Sequence, residues 1–258
     1  MDAVRFPIKL EIDAKKAVRT IAFVCIAFEL LIVLLDATIT YFDAIDIQAI
    51  QRLCNITRED SFGNWFSCTQ LFVVGIVLWF IFFANRQANA PRRSKVGWLV
   101  LALFFTYMAL DDGSMLHERI GTAAKESLEE PDGGPSALER FPSYAWQAVV
   151  GPIFVAMGIF MAYFFLNEFK RWSQRIVLLG AIGCYATAMG LDFLEKVENG
   201  PYQWIQRATQ CREYTVSHFA KSLEETLENF GTTLFLVAFL LHFARICSSI
   251  EIQARRDA

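Results

Sequence analysis

The sequence predicts an all-α integral membrane protein in which six transmembrane helices form one bundle. Of its 258 residues, 55% are hydrophobic and 20% charged, whereas an ordinary soluble domain carries about 25% charged residues. The apolar residues are not spread evenly but fall into long blocks. Each block approaches the length of about 20 residues that a helix needs to cross a hydrocarbon core about 30 Å thick.

The blocks place the spans along a single membrane domain, 1–258. The spans are predicted at Val18–Phe42, Phe66–Asn85, Val96–His117, Tyr144–Asn167, Ile176–Lys196 and Ser222–Arg245. The first block is not a cleaved signal peptide, because it continues through Asp36 without a small-residue cleavage site. Ser222 and Glu225 fit a capping box at the start of the sixth span. Glu224 and Glu225 would then lie in its first turn, where the helix dipole favours acids.

The distribution of Lys and Arg predicts the orientation of the bundle. The N-terminal segment, the second-to-third and fourth-to-fifth connections and the C-terminal tail are short and basic, and six spans place them on one side. The longer connections, 43–65, 119–143 and 197–221, are rich in acids. Both termini are therefore predicted to be cytoplasmic, with the long connections facing outward. A net charge of −3 without a basic block argues against nucleic acid and leaves the lipid bilayer and other membrane subunits as predicted partners.

Acidic residues recur inside four of the six spans, where ionisable groups are costly and usually face a bundle interior or an aqueous cavity. A rise of about 1.5 Å per residue places most of them about 22–31 Å from the cytoplasmic end, and only Glu29 lies near the midplane. We therefore expect one cavity, open to the outer face, where several polar side chains converge. They are Asp36, Asp111, His117, Asp192, Glu195, Glu225 and Glu228.

This combination of carboxylates and a histidine predicts a metal site. Carboxylates with histidine from several helices are typical of di-iron or di-manganese bundles, and a catalytic zinc needs three protein ligands and an open position. The converging residues are thus predicted ligands of a divalent metal (Zn, Fe or Mn). Ser114 and Glu118 are candidates to orient a substrate or act as general base, in a metal-dependent enzyme acting on a membrane-associated substrate.

Two other functions stay open on the sequence alone. A proton or cation transporter would use Glu29 as a step inward from the acidic level, although the chain shows no pair of broken helices. An accessory or assembly subunit of a membrane complex would pair its acids internally and at helix ends. That interpretation explains Glu224 and Glu225 better than it explains Asp36, Asp111 and Asp192.

Cysteines add one further prediction. Cys54 and Cys68 lie in or beside the first outward connection. In an oxidising compartment, a Cys54–Cys68 disulfide would close a short loop. Two free cysteines are an equal alternative, and Cys211 is another partner for either thiol.

Two short motifs resemble a pattern found in uncharacterised bacterial multi-pass membrane proteins. Residues 109–118 read ALDDGSMLHE, and residues 224–228 read EETLE. In those proteins a Leu-Asp-Glu stretch precedes His-Glu and a Glu-Glu pair opens a late helix. Asp112 stands here in place of the glutamate. The resemblance implies an outward acidic site and a bacterial inner (plasma) membrane location, and it implies no activity.

Overall fold

The computed structural model describes residues 13–42, 44–128, 138 and 141–247, which form ten α-helices and no strand. Six of these helices are long and apolar enough to cross a membrane, which confirms the predicted six-span all-α architecture. The spans are α1 (Ala14–Phe42), α3 (Phe62–Gln87), α4 (Arg92–Ser114), α7 (Gly151–Glu168), α8 (Trp172–Glu195) and α10 (Glu213–Ile246).

Four shorter helices lie in or beside the three connections that the sequence predicts to face outward. They are α2 (Gln48–Cys54), α5 (Leu116–Ser127), α6 (Ala145–Val149) and α9 (Pro201–Thr209). Each packs against at least one neighbouring span. The segment before Asp13 and the tail after Cys247, which carry part of the predicted charge bias, lie outside the described residues.

The core of the bundle lies around α3 and α10. Helix α3 packs against α4 and α10, and α10 packs also against α1 and α8. Val74, Leu78 and Ile81 on α3 are completely buried. The rings of Phe105 and Phe235 meet edge to face at 5.2 Å, so aromatic contacts join α4 to α10. Helix α7 lies at the periphery, where it packs against α4, α6 and α8.

Two predicted helix ends differ from the structure. The third span ends at Ser114 rather than His117, because Met115 adopts the left-handed conformation (φ 50°, ψ 42°) and a new helix starts after it. The fourth span begins at Gly151 rather than Tyr144. The preceding residues form the separate helix α6, and Pro152 occupies the first turn of α7, where its missing N–H costs nothing.

The sixth span begins at Glu213, well before the predicted start at Ser222. The predicted capping box is therefore wrong, since Ser222 lies inside the helix and its hydroxyl donates to Asp36 Oδ2 at 3.0 Å. Glu224 and Glu225 likewise lie in the helix interior. The helix dipole acts within the first turn, so it does not account for these two acids.

Candidate functional site

A cavity of about 470 Å³ lies between α4, α7, α8 and α10 and is closed in part by the loop that joins α2 to α3. Part of its wall is apolar: Phe104, Phe105, Met108, Phe154, Met161, Ile182, Met189 and Phe235. The other part carries eight carboxylates: Glu59, Asp111, Asp112, Glu118, Asp192, Glu224, Glu225 and Glu228. We call these parts the apolar half and the acidic half.

The two halves occupy different levels of the bundle. On α4, Met108 precedes Asp111, and on α8, Met189 precedes Asp192. Helix α10 crosses the bundle in the opposite direction to α4 and α8. On α10 the acids come before Phe235 in the sequence, so they lie at the same end as Asp111 and Asp192. The acidic half therefore lies toward the connections that the sequence predicts to face outward, and the apolar half lies nearer the middle of the spans.

Five of the seven predicted metal ligands line this cavity: Asp111, His117, Asp192, Glu225 and Glu228. Asp36 and Glu195 do not. Of the two predicted catalytic residues, Glu118 lines the cavity, whereas Ser114 donates its hydroxyl to the carbonyl of Leu110 within its own helix at 2.6 Å. The shared depth thus brings most of the predicted residues together, but not all of them.

Asp111 and His117 form the best-defined polar contact of the acidic half. Asp111 Oδ2 lies 2.7 Å from His117 Nδ1, and Oδ1 accepts the backbone N–H of His117 at 2.7 Å. The imidazole also meets the Trp146 ring edge to face at 4.5 Å. Burial disfavours the charged imidazole, but the hydrogen bond to Asp111 and the negative charges of Asp111, Glu118 and Asp192 outweigh burial and raise the pKa of His117.

Lys221 is the cation of the acidic half that contacts several acids at once. Its Nζ lies 2.6 Å from Glu224 Oε1, 3.7 Å from Asp192 Oδ1 and 3.8 Å from Glu225 Oε1. Asp192 accepts in addition from Gln147 Nε2 at 2.7 Å. One lysine therefore links α8 to α10 and offsets part of the charge of three carboxylates.

The loop between α2 and α3 brings Arg58 and Glu59 to the cavity. Arg58 is already paired, since its Nε lies 2.8 Å from Asp60 Oδ1. Glu59 accepts from Asn64 Nδ2 at 3.2 Å. Burial, followed by repulsion from Asp112 and Glu118, raises the pKa of Glu59. The loop thus adds an acid that the other carboxylates repel.

Asp36 holds this loop in place from outside the cavity. It is 2% exposed and accepts the backbone N–H of Ile56 at 3.2 Å as well as the Ser222 hydroxyl. Its Oδ1 lies 3.3 Å from His218 Nε2, and His218 Nδ1 lies 3.0 Å from the Tyr41 hydroxyl. The Asp36 carboxylate is therefore occupied by structural contacts among α1, α10 and the loop.

Glu195 and Glu29 also have their own partners away from the cavity. The Tyr144 hydroxyl donates to Glu195 Oε2 at 2.7 Å, and burial together with this bond raises the pKa of Tyr144. Glu29 is buried and accepts from Thr233 Oγ1 at 2.5 Å and from Gln70 Nε2 at 3.3 Å. Glu29 therefore joins α1, α3 and α10 and does not extend the cavity inward.

The predicted metal site has no support in the geometry. In the part of the chain that the structure describes, no group of three or more His, Cys, Asp and Glu side chains is arranged to hold a metal ion. Several of the predicted ligands have other partners instead: Asp36 accepts from Ser222, Asp192 accepts from Gln147, and Glu195 accepts from Tyr144. The structure also contains no disulfide between Cys54 and Cys68, which are free thiols. Cys68 instead faces Asn64, which it contacts through Sγ at 3.6 Å.

The sequence profile of a domain of unknown function, DUF8692, matches residues 22–243. The chain belongs to this family. The matched region contains every residue that lines the cavity, from Ile56 to Phe235. No curated protein and no solved structure matches the chain.

Three acids of the cavity in this DUF8692 chain are absent from both the predicted ligands and the predicted catalytic residues: Glu59, Asp112 and Glu224. Glu59 lies in a loop, so neither helical spacing nor depth indicates it. Asp112 directly follows Asp111, so the sequence places both acids at nearly the same level of the helix. Neighbouring helical residues point to different faces, and Asp112 was therefore not assigned to the face of Asp111. The sixth span was predicted to start at Ser222, which would place Glu224 in its first turn. The helix starts at Glu213, so Glu224 lies in its interior.

Proposed function

We propose that the protein binds an amphiphilic ligand drawn from the outer leaflet of the membrane. A cationic head group lies in the acidic half of the cavity, and an apolar chain occupies the apolar half. The observation that carries this proposal is the two-part lining of one cavity of about 470 Å³. Ligand sites are mostly apolar clefts in which a few convergent polar groups fix the orientation of the ligand.

The charge balance of the acidic half supports a cationic head. Its eight carboxylates face Arg58, His117 and Lys221 as the basic side chains of the lining. Arg58 is itself paired with Asp60 outside the lining, and Lys221 is shared among three acids. Partly buried carboxylates that lack enough counter-charge either take up protons or bind a cation.

Asp112 provides a specific acceptor for such a head group. The carboxylate meets Ser67 and Cys68 on α3, yet its Oδ2 atom is buried and has no hydrogen-bond partner among the described residues. Glu225 and Glu228 repel the same carboxylate across the cavity. A ligand N–H group at this position would satisfy Asp112 and reduce the repulsion among the three acids.

An organic cation accounts for the geometry better than a bare metal ion. A catalytic zinc ion takes three protein ligands at short, fixed distances, and the described residues contain no group of three or more His, Cys, Asp and Glu side chains arranged to hold a metal. An alkylammonium head requires only acceptors within hydrogen-bond distance and a surrounding negative potential. The apolar half has no role in metal binding, but it is the wall that an attached hydrocarbon chain needs.

The proposal includes an outward-facing cavity in a bacterial inner membrane. The orientation is supported by the charge bias: Arg86 at the end of α3, and Arg92, Arg93 and Lys95 at the start of α4, flank the short connection between these two spans. The bacterial inner membrane is supported by the resemblance of the two motifs described above. A membrane-impermeant thiol reagent applied to intact cells should label the exposed Cys211, and labelling should disappear in Cys211→Ser. Labelling of Gln87→Cys in a Cys211→Ser background, from outside, would reverse the orientation.

The decisive experiment for the ligand is analysis of the full chain purified in mild detergent, by native mass spectrometry and elemental analysis together. The expected result is a retained amphiphile with a cationic head, which the double variant Glu225→Gln/Glu228→Gln loses. Glu195→Gln is the matched control because Glu195 lies outside the cavity. A stoichiometric metal that the double variant loses, without any retained amphiphile, would overturn the proposal in favour of a metal site.

A further inference from the structure

A second cavity, of about 480 Å³, lies along the seam between α7 and α8. It is lined on one side by Val155, Ala156 and Ile159 of α7 and on the other by Met189 and Phe193 of α8. Almost its entire wall is apolar. The seam therefore forms a groove between two transmembrane helices.

The groove and the main cavity share part of one wall. Val155, Ile159 and Met189 line both of them. Val155 is 54% exposed and Ile159 67% exposed, although both also face the main cavity. Side chains that belong to an interior wall and to the outer surface at once indicate that α7 and α8 leave the cavity open on this side.

The packing of α7 provides the room for such an opening. Gly158 lies on the cavity wall, and a Cβ atom placed on it would meet nothing within 4 Å. At the outer end of the groove, Gln147 donates to Asp192 of the acidic half at 2.7 Å, while its Oε1 is buried without a partner among the described residues. The groove thus has a polar end next to an apolar length, which is the same order of polar and apolar surfaces as in the main cavity.

We propose that the α7–α8 seam is a lateral portal through which the acyl chain of an outer-leaflet lipid enters the apolar half of the main cavity. This inference rests on the proposed function and names the ligand class as a long-chain lipid. Outer-leaflet chains lie against exposed apolar side chains of spans. A chain that passes between Ile159 and Met189 reaches the apolar half while its head stays at the level of Asp192.

The portal is tested with a lipid that carries a photoreactive diazirine in its acyl chain and an amine head, incorporated with the full chain into vesicles. After irradiation, labelled residues are identified by mass spectrometry. The expected result is labelling of Val155, Ile159 and Met189 well above that of Leu30 and Leu34 on α1, which are also exposed. Equal labelling of α1 and the seam would overturn the portal.

A blocking variant separates the portal from the proposed function. Gly158→Phe should fill the apolar half and reduce labelling of the seam several-fold, whereas Gly190→Phe on the exposed face of α8 should leave it unchanged. If seam labelling is strong but insensitive to Glu225→Gln/Glu228→Gln, the head-group assignment fails and the portal stands. If head-group binding persists in Gly158→Phe and the seam is not labelled in the wild type, the portal alone fails.

Discussion

Asp111 bonds to His117 twice, through its two carboxylate oxygens, across the break between α4 and α5. One oxygen accepts the backbone N–H and the other contacts the imidazole, both at 2.7 Å. The break itself is the left-handed Met115. A carboxylate at the start of a helix satisfies an otherwise free N–H group. The pair therefore fixes the direction in which α5 leaves the span and carries Glu118 to the cavity.

The first prediction concerns the pH dependence of this pair. Because the pKa of His117 is raised above 6.5 in the folded protein, its stabilising contribution is complete below about pH 6.5 and is lost as pH rises through the folded value. The melting temperature of the wild type, measured from pH 6 to pH 9, should fall relative to that of His117→Gln. A constant difference between the two proteins over this range would contradict the assignment.

The second prediction concerns the packing of α5 against α6. A Cβ on Gly121 would lie 2.5 Å from the backbone nitrogen of Trp146, and a backbone atom cannot move aside as a side chain can. Gly121→Ala should destabilise the protein by about 1–3 kcal/mol, as overpacking does, and lower the melting temperature. Gly183→Ala is the control, because a Cβ there meets nothing within 4 Å, and alanine favours a helix. Equal effects would argue against close α5–α6 packing.

The third prediction uses the repulsion around Glu59. Since burial and the charges of Asp112 and Glu118 raise its pKa, Glu59→Gln should raise the melting temperature of the ligand-free protein at pH 7. The same change removes a negative charge from the acidic half and should weaken binding of a cationic amphiphile. Thermal unfolding with and without dodecylammonium measures both effects. A loss of stability in the ligand-free protein would show that Glu59 is already compensated.

The fourth prediction concerns the buried contacts of Glu29. Thr233→Val keeps the shape of the side chain but removes the hydroxyl that donates to Glu29. Hydrogen bonds between membrane helices contribute about 1 kcal/mol, so the melting temperature should fall modestly. Ligand binding should not change, because neither residue lines the cavity. Weaker ligand binding in Thr233→Val would instead connect Glu29 to the site.

The sequence could predict the spans and the level of the site because both depend on position along a helix. Apolar length defines a span, and rise per residue defines depth. This reasoning predicts a similar level for Asp36 and Asp111. Whether a side chain at that level faces the cavity depends on how each helix is rotated in the bundle. That rotation comes from packing, which turned Asp36 toward Ile56 and His218 instead.

Other features of the site depend on local conformations with no clear sequence signal. The left-handed Met115 is not a glycine or asparagine, the usual residues for that conformation, so the end of α4 was predicted too late. The early start of α10 at Glu213 places Glu224 in the interior of the helix, where it lines the cavity, rather than at the helix end that the sequence predicted for it. Glu59 came from a loop, where depth and helical spacing carry no information.

The most direct test of the central claim is a comparison of ligands that share one chain and differ in head-group charge. Dodecylammonium, dodecanol and dodecanoate are titrated into the full chain in a non-ionic detergent, and affinity is obtained from the shift in melting temperature. We expect dodecylammonium to bind at least about tenfold more tightly than dodecanol, a difference of about 1.4 kcal/mol, and dodecanoate to bind most weakly. In Glu225→Gln/Glu228→Gln this preference should largely disappear. Equal affinities for the three compounds in the wild type, or an undiminished preference in the double variant, would contradict a cation-selective acidic half.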